Sequence, residues 1–396
     1  MRKITRINLK VFTLLFCNLL IITPSFASMF ECRDAFINNS ELNAPVTTHS
    51  VEKVIQKCYR TSDSIFFALG FSDRYSAPIW GAYKISPERF GPKGCYTYTR
   101  NTGNCYINDD TWSEPISCND KSDPFHKDKQ LQQSLSPKAF ENSGHDRGHI
   151  APRQTFSWNV CGAYQTFSMA NMSPQSAEFN QGIWADLESQ VLSWGVEHGP
   201  IYIVTGAIYS SFPYHAYKVY QNKVLNPDEI YENGLTLYNA ATKVRENSKL
   251  PPGHILKPRR AANPDRISNT LRDLRLPTGY FKVVYIPESR DKPAEAIGFL
   301  LPHSFENLRH LSDYYSGLGR EDAYWAFVSR IDLIEEASGI SFAGIAEPMK
   351  SKWGSPWFFK HRGGAEIRSQ NCGIGNPQGV MMGAVRKERV SACQTK

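Results

Sequence analysis

Three short stretches concentrate the residue types that phosphodiester chemistry needs. The first is Gly144-His-Asp-Arg-Gly-His-Ile-Ala-Pro-Arg153, the second Ala170-Asn-Met-Ser-Pro-Gln175 and the third Phe179-Asn-Gln-Gly-Ile-Trp-Ala-Asp-Leu-Glu188. Hydrolysis of a phosphodiester requires a base for the attacking water, positive charge for the phosphoryl oxygens and stabilisation of the leaving alkoxide. His149 accepts a proton near neutral pH, Arg147 is a permanent cation suited to phosphate, and Asn180 offers an amide oxygen to a hard metal. Each of the others has an ordinary structural reading beside the chemical one. Asn180 precedes an apolar-periodic stretch, where asparagine is a common N-cap, and both roles can coexist. Asn171 beside Ser173-Pro174 fits turn chemistry, and Arg147 follows a candidate ion-pair partner, Asp146. Glu188 stands eight residues beyond Asn180, about 12 Å along a regular helix axis, so the two reach a common centre only through water and a bent helix entry.

Taken in order, the three blocks resemble the DNA/RNA non-specific endonucleases of the ββα-metal, Serratia nuclease-like type. The Asp-Arg-Gly-His core falls at 146–149, the Asn-x-Ser-Pro-Gln block at 171–175 and the Asn-Gln-Gly-x-Trp-x-x-Leu-Glu block at 180–188. Weaker similarity through Trp80-Gly-Ala-Tyr-Lys, Tyr202-Ile-Val-Thr-Gly, Gly279-Tyr-Phe-Lys-Val-Val and Ile334-Glu-Glu-Ala-Ser-Gly-Ile340 extends it over residues 65–345. The resemblance implies that His149 is the general base and that Asn180 is the sole direct protein ligand of Mg²⁺, with Mn²⁺ as a substitute. Water fills the other positions of such a site, which suits an ion that dehydrates reluctantly. It places Arg147 and Asn171 around the phosphate and the base, and Glu188 near the water of the metal. It implies 5′-phosphate products and DNA and RNA as partners; a protein inhibitor is a further candidate partner, for the 210–275 segment, which is often shorter in relatives. One departure concerns the upstream phosphate-facing arginine of the family: the region here reads Tyr96-Thr-Tyr-Thr-Arg-Asn-Thr-Gly-Asn-Cys105, and Arg100 is the best match.

The elements that must hold these residues alternate between strand and helix without a regular βαβ repeat. Pro78-Ile-Trp-Gly-Ala-Tyr-Lys-Ile85, Gly199-Pro-Ile-Tyr-Ile-Val-Thr-Gly206, Gly279-Tyr-Phe-Lys-Val-Val-Tyr-Ile286 and Ala296-Ile-Gly-Phe-Leu-Leu301 read as strands. Helices are expected at 51–59, at 181–194, where Ile183, Trp184, Leu187 and Val191 form one stripe, and at 323–337. The expected class is therefore α+β, a largely antiparallel central sheet flanked by helices, which the resemblance specifies as a ββα-metal nuclease fold. Residues 28–62 read as an N-terminal appendage and 63–347 as the domain. A basic insertion at 210–275 carries 11 Lys+Arg against six Asp+Glu, and a basic tail follows from 348 to 396. The insertion is either a phosphate-holding surface or a solvated loop.

Residues 1–27 join Arg2, Lys3, Arg6 and Lys10 to an apolar run that ends near Pro24 and Ser25-Phe-Ala27. This is the pattern of a secretory signal, and the run is shorter than the about 20 apolar residues of a membrane span. The expected destination is secreted or periplasmic, with no membrane span after cleavage. Nine cysteines less Cys17 leave eight, an even number that favours disulfides in an exported chain. Closeness pairs Cys95 with Cys105 and Cys372 with Cys393, the latter clamping the tail, while Cys32 with Cys58 and Cys118 with Cys161 complete the set. No two of them have the short spacing of zinc ribbons or fingers. The formal charge of +7 falls to +3 without the four leader cations, which is too small to announce a nucleic-acid binder by itself. Two readings stand beside the nuclease: a non-catalytic exported nucleic-acid-binding or uptake protein on the same fold, and an envelope interaction protein working through 210–275. Oligomeric state is unknown at this level.

Overall fold

The computed structural model describes residues 30–90, 124–209, 274–303, 309 and 320–361, with breaks at 41–42, 49–53, 62–63, 142 and 157. The leader, Arg100 with the 95–105 pairing, nearly all of the 210–275 insertion, and the tail beyond 361 with the 372–393 pairing lie outside those residues.

The frame is a seven-stranded antiparallel sheet ordered β10-β9-β8-β7-β4-β3-β2. Its strands are β2 (Val54–Arg60), β3 (Ile65–Ser72), β4 (Ala77–Ile85), β7 (Ile201–Ile208), β8 (Gly279–Ile286), β9 (Glu295–Pro302) and β10 (Val328–Ser329). The four strands read from the sequence all form. Their near-continuous apolar runs follow from burial on both faces: every residue of β7 is buried, as are seven of eight in β8. Trp80, Trp184, Trp194 and Trp325 lie fully inside the core that covers this sheet. Outside it, β5 (Asp146–His149) pairs with β6 (Met172–Gln175), and β1 (Val46–Thr47) with β11 (Ile340–Ser341). The regular helices are α1 (Val160–Gln165), α2 (Ala185–His198), α3 (Ile331–Ser338), α4 (Glu347–Lys350) and α5 (Pro356–Lys360).

Two helix expectations are corrected. The stretch 51–59 is not a helix; its described part is β2, the sheet edge, in register with β3 from Val54↔Ser72 to Tyr59↔Phe67. Four apolar positions at helical spacing were too short a signal against β-forming Val54, Ile55 and Tyr59 beside a strand that needed a partner. The stretch 323–337 is not one helix. It divides into a 3₁₀ segment Arg320–Phe327, the short strand β10 against β9, and α3, which ends at Gly339 in the left-handed region (φ 66°). A third helix, at 181–194, forms from 185 onward, but its entry Phe179–Trp184 is π-helical with Gly182 out of helical geometry.

Residues ahead of 62 are fastened to the sheet. Cys32 and Cys58 form the expected disulfide, Phe36 and Ile37 are buried, and Tyr202 donates to Asn39 Oδ1. Cys161 is also disulfide-bonded.

Candidate active site

The β5–β6 ladder presents the first two motif blocks side by side, with Asp146↔Gln175, Arg147↔Pro174, Gly148↔Ser173 and His149↔Met172. Only glycine fits at 148, since a Cβ there would sit 2.2 Å from the buried Gln175 side chain. The central sheet anchors the ladder through Tyr280 of β8, whose hydroxyl donates to the Pro174 carbonyl at 2.8 Å and lies 2.9 Å from Ser173 Oγ. Alternation along a strand puts Arg147 and His149 on one face. Both meet Phe125 there: the Arg147 guanidinium lies 4.6 Å from its ring centroid and the His149 ring 5.9 Å. Arg147 also donates to the Pro137 carbonyl at 3.2 Å.

His149 packs between Phe125 and Phe167, the latter edge-on at 5.6 Å. Its Nε2 is out of solvent and has no hydrogen-bond partner among the described residues. Burial, and next the Arg153 guanidinium, push its pKa down to about 3, below the near-neutral value expected from residue type, so the ring is neutral at pH 7 and takes a proton less readily than an ordinary imidazole until an anion stands beside it.

Asn171 is turned into the protein. Its side chain is fully buried and saturated: Oδ1 accepts from the Ala151 N–H at 2.8 Å, and Nδ2 donates to the Ala151 and Thr166 carbonyls, each at 2.9 Å. Together with the Ile150 N–H to Asn171 carbonyl bond of 3.0 Å, it fixes the chain immediately after His149. In the structure these contacts are structural ones, made to backbone groups.

Asn180 is not an N-cap. It lies inside the π-helical turn, its N–H donates to the Ser176 carbonyl at 2.8 Å, and its Nδ2 donates to Asp146 Oδ2 at 2.9 Å. Gln181 Nε2 donates to the same carboxylate oxygen at 2.8 Å. With its amide nitrogen committed, Asn180 has only its oxygen to give a ligand. The Ser176 turn is held in its own right by the buried His303: Ser176 N–H donates to Nε2 at 2.9 Å, which leaves the proton on Nδ1 to meet the Pro277 carbonyl at 3.1 Å.

Glu188 sits in the first turn of α2, its Oε1 out of solvent and 4.0 Å from the ammonium of Lys282, a wholly buried residue of β8. Burial raises the Glu188 carboxyl and lowers the Lys282 ammonium. The structure thus joins Arg147 and His149 on one strand, links that strand to Asn180 through Asp146, and seats Glu188 against the sheet. Arg100 lies outside the described residues. Asp146, read from the sequence only as an ion-pair candidate for Arg147, serves Asn180 and Gln181 instead; His303 and Lys282 were missed, and the signals for them were a histidine at a strand end and a lone charge in an otherwise apolar strand.

The donor set tests what cation the site suits. One oriented amide oxygen with a nearby carboxylate is an oxygen donor set, which fits a hard ion that keeps most of its water, as Mg²⁺ does.

Comparison with known proteins gives matches of several kinds. A nuclease from Nostoc sp. is 31% identical over 133 residues, 31% of this chain and 47% of that protein. The mitochondrial endonuclease G of Bos taurus is 29% identical over 143 residues, 36% of this chain and 40% of its own. Nuclease C1 of Cunninghamella echinulata is 34% identical over 100 residues, 24% and 40% of the two chains. The chain thus spans less than half the length of these relatives. A crystal structure of the EndoG/EndoGI complex aligns at TM-score 0.43 and 17% identity, covering 74% of this chain and 88% of that one. The family model described as DNA/RNA non-specific endonuclease matches residues 52–344, well over half of the sequence, and the chain belongs to that family.

Proposed function

We propose that the protein is an exported, Mg²⁺-dependent endonuclease that hydrolyses phosphodiester bonds of both DNA and RNA and leaves 5′-phosphate ends. The observation that carries this reading is the pairing of a His149 Nε2 that has no hydrogen-bond partner among the described residues with an Asn180 amide held by Asp146 on the adjoining helix entry. His149 takes the proton of the attacking water as its oxygen bonds to phosphorus. The P–O3′ bond breaks in line, and the 3′ oxygen leaves and is protonated by solvent. The phosphate brings the negative charge that the imidazolium lacks in its apolar pocket. Arg147 grips the phosphoryl oxygens, while Asn180 would hold the cation and Glu188 would hold water around it. The divalent ion supplies positive charge to the phosphate and to the leaving oxygen. A site built on phosphate contacts reads little base sequence, which suits a substrate range covering both nucleic acids. Export is supported by the basic and apolar N-terminus and by the Cys32–Cys58 disulfide.

The test is digestion of supercoiled plasmid and single-stranded RNA by purified mature protein with Mg²⁺ or with EDTA, followed by ligation of the products to read their ends. Cleavage of both substrates only with Mg²⁺, giving ligatable 5′-phosphates, is the expected result. Nucleic-acid binding that survives EDTA with no cleavage under any divalent ion would instead establish a binding protein on this scaffold.

A further inference from the structure

The strand Gly279–Ile286 carries one charge among apolar residues, Lys282, and it has no exposure to solvent. A buried ammonium is costly unless its charge is compensated and its three donors are satisfied. Here compensation is partial. Nζ lies 3.3 Å from Thr205 Oγ1, 4.0 Å from Glu188 Oε1 and 4.5 Å from the centroid of the Trp184 ring. Thr205 spends its own proton on the Phe281 carbonyl at 2.9 Å, so its oxygen is turned to accept from the lysine. Nothing in this arrangement has the close bidentate geometry of a structural ion pair such as Arg309 on Asp186, at 2.6 and 2.7 Å. The Lys282 charge is instead aimed at one carboxylate oxygen that has no other partner among the described residues, Glu188 Oε1.

We propose that Lys282 is the positioning residue of Glu188, holding the inner carboxylate oxygen against β8 so that the outer one is presented to the water around the Asn180-held cation. The inference rests on the nuclease reading for what Glu188 does, but the Lys282–Glu188 link itself is independent of it. Burial is the largest influence on Glu188 and favours its protonated form, while Lys282 and, next, a hydrogen bond from Trp184 favour the ionised one. Without Lys282 the buried carboxyl would keep only the Trp184 hydrogen bond to favour its charge, and would retain its proton to higher pH. Because Lys282 reaches no solvent, it cannot grip a phosphate itself, and its effect must pass through Glu188.

The test uses the full mature protein and the variants Lys282→Met, Glu188→Gln and the double variant. In metal-free protein, the pH midpoint of the Glu188 carboxyl, read by carbon-13 NMR, is expected to move upward in Lys282→Met. Cleavage by Lys282→Met is expected to fall roughly 10–100-fold, as loss of a partner that orients a metal-site group typically does. In the Glu188→Gln background the same substitution should change the rate less than about twofold, since residues that act as a unit are not additive. Nucleic-acid affinity in EDTA should stay unchanged. Should Lys282→Met fold poorly, the double variant, which removes both charges, is expected to recover the unfolding midpoint. Equal losses in both backgrounds, an unmoved Glu188 midpoint or a double variant that still fails to fold would overturn the proposal and leave Lys282 a packing residue. If wild type cleaves nothing, the nuclease reading fails, whereas the NMR midpoint and the stability coupling still decide the Lys282–Glu188 link.

Discussion

Asp146 Oδ2 accepts a 2.9 Å hydrogen bond from Asn180 Nδ2, joining the strand that carries His149 to the helix entry that carries Asn180. Gln181 donates to the same oxygen at 2.8 Å. An amide held this way cannot rotate, so its oxygen is fixed before any ion arrives. Removing the acceptor in Asp146→Ala should raise the Mg²⁺ concentration for half-maximal cleavage by roughly 10–100-fold. Asp146→Asn, which keeps an acceptor but loses the charge, should fall between. A Mg²⁺ titration of plasmid nicking, with affinity for nucleic acid in EDTA as the control, checks this.

Asn171 should behave as a structural residue. Asn171→Ala strands the Ala151 N–H and two carbonyls away from water, and each unpaired group costs about 1–3 kcal/mol. Urea unfolding should therefore show a loss of about 3 kcal/mol or more, with activity falling in proportion to the folded fraction.

Two buried histidines make the fold acid-sensitive. Burial first, then the charges of Arg153 on His149 and of His145 on His303, hold both near 3, against 6.5 for an ordinary imidazole. Below 6.5 the unfolded chain takes up protons that these folded residues refuse, so stability falls as pH drops from 6.5 toward 3 and is unaffected by them above 6.5. His303→Gln offers the Ser176 N–H an acceptor that does not titrate. Thermal unfolding midpoints at pH 7, 5 and 4 should drop less steeply in that variant than in wild type.

The Cys32–Cys58 bridge, with a sequence separation of 26, ties the N-terminal segment to the edge strand β2. A loop of that size restricts the unfolded chain by about 3–4 kcal/mol in the entropic account. Cys32→Ala/Cys58→Ala should lower the midpoint of denaturant unfolding accordingly, while the cleavage rate of the folded fraction stays near that of wild type.

Much of the architecture was legible because β4, β7, β8 and β9 are apolar runs bounded by turn formers, and a strand buried on both faces leaves that signature. β2 was not, because an edge strand takes its conformation from its neighbour and its side chains alone fit either period. The three motif blocks led to His149, Arg147 and Asn180, whose chemistry is written in residue type. The role of Asn171 was hidden, since a buried amide and a substrate-facing one read alike until its three partners are seen. Asp146, His303 and Lys282 act through contacts 34, 127 and 94 positions away, on Asn180, Ser176 and Glu188, and no local spacing encodes such pairings.

The central claim is that His149 is the base. It is tested most directly by plasmid cleavage with wild type and a folded His149→Ala protein in Mg²⁺ under non-reducing conditions, with and without added imidazole. The account predicts a loss of roughly 10²–10⁴-fold, as for other general bases, partly restored by imidazole entering the space between Phe125 and Phe167. A folded His149→Ala protein that cleaves at the wild-type rate would contradict it.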